Sequence, residues 1–120
     1  MEVAEITIEA LNIELTAKAE ALKKQLGKEI YPFVVIDNRQ RFVGFIQEPT
    51  LQAKMVAFDK MTMEQSLTLA GEAILESSLV IDESDKAFTS PESRFDNVKL
   101  AAYLECTNFV KVLANQYKKK

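Results

Sequence analysis

Side chains able to do chemistry are few in this sequence. Its 120 residues contain no His and one Cys, with 15 Lys+Arg against 18 Asp+Glu and a net charge of −3. His is the commonest general base and the commonest transition-metal ligand, so its absence removes both roles at once. The densest group of carboxylates is Glu72, Glu76, Asp82, Glu83 and Asp85, a run with no Lys or Arg inside it. Carboxylates suit Ca²⁺ or Mg²⁺, and two of them could pair as acid and base. A calcium loop alternates its ligands, turns on a Gly at the sixth position and closes on a distal Glu. That Gly is missing here, and no nucleophile, oxyanion donor or cofactor motif accompanies the run. It reads as a solvated loop, with a small-ligand or metal-binding regulator as the alternative use.

The remaining chemistry is equally sparse. Gly27, Gly44 and Gly71 do not cluster, so nothing resembles a phosphate loop. Cys106 lies on an apolar helical stripe, and with no second Cys it forms no internal disulfide, which fits a reducing interior. The basic ending Gln116-Tyr117-Lys118-Lys119-Lys120 decorates a last helical turn. An acidic balance argues against nucleic-acid binding, since phosphate neutralisation needs clustered Lys and Arg. Acids at Glu2 and Glu5 occupy the place where a secretory signal carries its basic residues, and no run approaches the roughly 20 apolar residues of a membrane span. The expectation is a soluble intracellular protein without enzymatic activity, cofactor or metal.

A hydrophobic share of 48% over this length supports one domain, residues 1–120. Leu11, Leu15, Ala19, Leu22 and Leu26 recur at helical spacing and predict a helix over 7–26, stopped by Gly27 with Lys23 and Lys24 in its last turn. Before Leu11, Val3, Ile6 and Ile8 fit either a helix or an extended arm. Thr50 as N-cap starts a helix over 51–61 with Leu51, Met55 and Phe58 as its inward stripe. Thr62 and Gln65 form a capping-box pair opening a helix over 63–78, with Leu67, Ala70, Gly71, Ile74 and Ser78 inward. Gly71 in mid-helix costs about 1 kcal/mol relative to Ala, which suggests close approach by another backbone. Ser90-Pro91-Glu92 starts a helix over 91–116, striped by Val98, Ala102, Cys106, Phe109 and Leu113. Its spacings match those of the first helix, a weak sign that the two pack together.

Between the first two helices the period changes. Tyr31 to Ile36 and Arg41 to Ile46 are rich in β-branched and aromatic residues around Asp37-Asn38-Arg39-Gln40, which predicts a β-hairpin over 30–47. With Ile36 opposite Arg41, Tyr31, Phe33, Val35, Phe42 and Ile46 share one face, and Pro32, Val34, Ile36, Val43 and Phe45 the other. Both faces are apolar. If one stays uncovered, roughly 1.5 to 3 kcal/mol of burial per large side chain is forgone, which marks a contact surface; the alternative is that helices sandwich the ribbon. Pro32 fits an edge or a strand start. Met55, Met61 and Met63 form with Phe58 a soft apolar cluster, a composition common in cores and in adaptable binding surfaces. The expected partner-binding residues are Phe33, Val35, Phe42, Val43, Phe45, Met55, Phe58 and Met61.

The fold class is therefore α+β, mainly helical, with about four helices packed on one β-hairpin. The succession Gly27-Lys28-Glu29-Ile30-Tyr31, the hairpin, Phe45-Ile46-Gln47-Glu48-Pro49, Lys54-Met55-Val56-Ala57, Ala70-Gly71-Glu72-Ala73-Ile74-Leu75-Glu76 and Asn115-Gln116-Tyr117-Lys118 resembles small morphogenesis proteins of tailed bacteriophages and prophages, of the tail assembly chaperone type. The resemblance spans about Gln25 to the C-terminus. It implies a protein without catalytic residues that shields apolar stretches of a phage tail protein, such as the tape measure, while the tube polymerises. It also implies a location in the cytoplasm of a bacterial host cell, or in the virion, while an uncovered hairpin face leads to the expectation of a homo-oligomer. A structural or packaged virion protein is the second reading of the same likeness.

Overall fold

The computed structural model describes the backbone of residues 3–118 and the side chains of residues 13–109. Four α-helices pack on a two-stranded antiparallel sheet: α1 (Val3–Leu26), β1 (Ile30–Asp37), β2 (Gln40–Gln47), α2 (Leu51–Thr62), α3 (Leu67–Ser78) and α4 (Asp96–Lys118), with three short 3₁₀ turns between α3 and α4. This is the α+β, mainly helical arrangement expected from the sequence. No helix among the described residues is long and apolar enough to cross a membrane. Leu11, Leu113 and the terminal lysines lie outside the described side chains.

The hairpin has the expected register, with Ile36 opposite Arg41 and Phe33 opposite Gly44. Asn38 and Arg39 both take positive φ, 51° and 65°, the signature of a two-residue type I′ turn whose twist matches the strands. Helices cover both of its faces. Phe33, Val35 and Ile46 enter a core with Ala57, Ala70, Ile74, Leu75, Phe88, Val98, Ala102 and Cys106 from α2, α3, the 3₁₀ segment and α4. On the opposite face Phe45 and Ile30 pack under Leu15, Ala19 and Leu22 of α1. The stripes of α1 and α4 thus meet different faces of the ribbon and belong to separate clusters, which corrects the expectation that they pair.

Segment ends differ from the sequence reading where the chain has to reverse. The third helix begins at Leu67, not 63, because antiparallel packing of α2 and α3 needs a reversing loop. Ser66 supplies the cap, accepting from the Leu69 amide at 3.1 Å, while Gln65 is left-handed at φ 53° and the Thr62 hydroxyl donates back to the Phe58 carbonyl. The last helix begins at Asp96, not 91, after a 3₁₀ turn over Ser93–Phe95. Aromatic contacts hold this approach close to the hairpin: Phe88 lies 5.0 Å from Phe33 and Phe95 6.0 Å from Phe42, ring to ring. The first helix extends back to Val3, which decides between helix and arm.

The edge of β2 is closed by the segment after α3. The Val80 amide donates to the Phe45 carbonyl at 2.8 Å and the Asp85 amide to the Val43 carbonyl at 2.9 Å. Side chains complete the set, since Val43 N–H donates to Asp85 Oδ2 at 2.6 Å and Phe45 N–H to Ser84 Oγ at 3.0 Å. Asp85 is therefore an edge cap rather than a member of a solvated acidic loop.

Gly71 sits where α4 crosses α3, and a Cβ there would collide with the Tyr103 carbonyl. Gly71→Ala should therefore cost about 1–3 kcal/mol by overpacking, read as a lower urea midpoint. At the hairpin tip, Arg39→Gly should stabilise by about 1 kcal/mol, because an L side chain resists the left-handed region that Gly adopts freely.

Candidate functional site

The expected binding residues divide by position. Phe33 and Val35 are buried beneath α3 and α4, and Phe45 is 0% exposed under α1. Phe42 and Val43 are half-buried, the first against Phe95 and the second in the α1 cluster. None of these five is available to a partner as an uncovered hairpin face, because the chain's own helices take both sides. Phe58 and Met61 are half-buried against the main core. Met55 alone of the eight is exposed, at 57%.

The orientation of α2 explains this result and reveals the residues that the sequence reading missed. Ala57 is buried, and Phe58 and Met61 turn the same way, so the inward positions follow 57, 58 and 61, one helical face. Leu51 and Met55, read from the sequence as inward with Phe58, instead point to solvent. Leu51 is 75% and Met63 80% exposed, and Val56 joins them among Gln52, Asp59 and Thr62. α2 is apolar on two sides, so periodicity alone admits two choices of core face. The usable sequence signal was the small Ala57 beside Phe58, which lets α2 lie close to α3.

Beside this face runs a groove of about 530 Å³ between β1, the start of α2 and the middle of α4. Its floor is Phe33, Ile46, Cys106 and Phe109, and its rim carries Tyr31, Glu48 and Lys54. Tyr31 packs edge-on against Phe109 at 5.2 Å. The Tyr31 hydroxyl donates to Glu48 Oε1 at 2.7 Å, and Lys54 Nζ meets Glu48 Oε2 at 2.6 Å. Glu48 is held below the usual carboxylate range, first by the Lys54 hydrogen bond and then by Tyr31. The hydrogen bond to Glu48, aided by burial, pushes Tyr31 up to about 12. Near neutrality the phenol stays protonated and the carboxylate ionised, so the three groups tie the strand to α2 and do not form an acid/base pair.

The other titratable features point the same way. Burial pushes the Cys106 thiol up to about 12, far from the depressed values of reactive thiols. Among the described residues no three His, Cys, Asp or Glu side chains come together as a metal could require. Glu83 is engaged with Lys18 at 3.1 Å, and Asp85 with β2.

No family model matches the chain, and no curated protein or solved structure matches it either.

The rim carries a pH dependence with a defined sign. The unfolded Glu48 carboxyl takes up its proton near 4.5, whereas the folded one resists to lower pH, so its contribution is present above 4.5 and is lost as pH falls through the folded value. For Tyr31 the contribution is complete below 10 and is lost as pH rises toward about 12. Urea titrations should show the stability difference between wild type and Glu48→Gln shrinking from about pH 7 to about pH 3. In an ultraviolet titration, wild-type phenolate absorbance should trail to higher pH than that of Tyr31→Phe.

Proposed function

We propose that this protein is a non-enzymatic interaction module that docks an apolar segment of another protein on the outer face of α2. The observation that carries the reading is the exposure of Leu51, Met55, Val56 and Met63 on and just beyond one helix. A helix whose far side already supplies Ala57, Phe58 and Met61 to the core gains nothing for its own fold from four further apolar side chains in water. Burying each would contribute roughly 1.5 to 3 kcal/mol, and a flexible Met-containing face adapts to varied apolar surfaces. An exposed apolar patch with Gln52, Asp59 and Thr62 among it has the anatomy of a docking site.

Within that class the chain acts as a tail assembly chaperone of a tailed bacteriophage, holding apolar stretches of a tail protein before the tube closes around it, in the cytoplasm of the bacterial host. Support for this finer reading is the succession of segments from Gln25 onward, together with a site free of poised catalytic groups. A virion component built from the same segments is the second reading. It differs in that the protein would remain in the finished particle.

The test is co-expression with the tape-measure protein and the tube protein of a tailed bacteriophage, followed by co-purification. Wild type should retain the tape-measure protein, and Leu51→Asp with Met55→Asp should reduce retention at least tenfold while the unfolding free energy from urea titration stays within about 0.5 kcal/mol of wild type, as for exposed positions. Absence of wild-type binding to either tail protein, or equal binding by the variant, overturns the reading. Recovery of the chain in purified particles decides for the virion component.

A further inference from the structure

The two edges of the hairpin are treated differently by the rest of the chain. In an antiparallel pair, residues alternate between those whose amide and carbonyl bond across the ladder and those whose groups point away from it. Val43 and Phe45 belong to the second kind, since their outward groups are bonded by Val80, Ser84 and Asp85. Their cross-strand partners Val34 and Pro32, and Ile36 in the same alternation, must then point outward from β1. Among the described residues nothing bonds the outward groups of Val34 or Ile36. Pro32 has no amide to offer, so its place in the strand costs the ladder nothing. Ile36 is also 60% exposed, an apolar side chain at an open strand edge.

We propose that the β1 edge is a self-association site, where a second copy of this chain adds its own β1 antiparallel about a two-fold axis through Val35. The edge is complementary to itself in this register. Val34 of one copy lies opposite Ile36 of the other, and each pair exchanges two N–H···O=C bonds, so the amides of Val34 and Ile36 from both copies are all satisfied. Shifting the axis to Val34 would set Ile36 against Pro32, which has no amide to return, so the axis at Val35 is favoured. Side chains agree with the backbone. The exposed Ile36 comes to lie beside the half-buried Val34 of the other copy on the α1 side of the sheet, and Asp37 comes opposite Phe33 rather than another charge. The product is a four-stranded antiparallel sheet whose outer β2 edges are capped in each copy at Val43 and Phe45. That cap opposes addition of a third chain along the middle of the outer edge. This inference is independent of the α2 docking face, which lies on another element.

Sedimentation velocity over about 10 to 500 µM, the range in which a small interface associates, should show a monomer passing to a dimer. Ile36→Lys places a charge at the edge and should weaken dimerisation at least tenfold with the urea midpoint unchanged. Leu51→Asp with Met55→Asp should leave dimerisation as in wild type. Hydrogen exchange should show the Val34 and Ile36 amides slowing as concentration rises, while the Val43 and Phe45 amides stay protected throughout. A monomer at every concentration, an Ile36→Lys dimer as tight as wild type, or larger assemblies abolished only by the α2 variant would each overturn the proposal.

Discussion

A two-stranded ribbon that is apolar on both faces sets the conditions for the rest of this fold. Such a ribbon is marginal in water by itself, and here the large side chains alternate onto both sides: Phe33, Val35 and Ile46 one way, Ile30 and Phe45 the other. Each face needs its own cover. α1 supplies one through Leu15, Ala19 and Leu22, while α2, α3 and α4 supply the other. Because the helices contact opposite faces, the buried residues form two clusters on the two sides of the sheet. Lys18 ties α1 to the segment after α3, its ammonium 5.3 Å from the centre of the Phe45 ring and 3.1 Å from Glu83.

The same constraint explains the acidic segment after α3. Once β2 lies beside that segment, its outward amides need acceptors, and Ser84 and Asp85 provide them with side-chain oxygens. Two of the carboxylates that look like a ligand cluster along the sequence are thereby engaged, Asp85 with the backbone and Glu83 with Lys18. The polar groups at the rim of the groove are engaged in a related way. Tyr31, Glu48 and Lys54 satisfy one another and so position α2 against the sheet; the Tyr31 phenol stays protonated and the Glu48 carboxylate ionised over the neutral range.

Covering the ribbon from within also relocates the functional reading. Exposed apolar side chains also occur singly at Ile13, Ile81, Leu100 and Leu104; the two surfaces proposed for contact are the outer side of α2, whose other side serves the core, and the open edge of β1. A helix face and a strand edge make different demands of a partner. The first accepts any apolar segment of suitable shape, whereas the second requires an extended backbone in a fixed register. An interaction protein that holds a varied apolar client while joining to its own kind has use for both.

Sequence alone determined the element order, the hairpin with its register, the inward stripes of α3, of α4 over the described residues and of α1 from Leu15 to Leu22, and the close approach at Gly71; Leu26, expected inward with them, is 42% exposed at the helix end. Each follows from a local period, a turn, or the cost of a missing side chain, none of which depends on distant residues. Tertiary structure alone decided what covers each hairpin face, which side of α2 turns inward and what Asp85 does. Periodicity states that Phe45 is apolar and on one face; whether α1 or a partner lies over it depends on where a helix many residues away comes to rest. For α2, the patterns 51/55/58 and 57/58/61 are both helical stripes, and the choice went to the one whose small Ala57 lets α3 pack closely. Long-range packing selects among faces that local pattern leaves equivalent, and the surface proposed for docking is what that selection leaves in water.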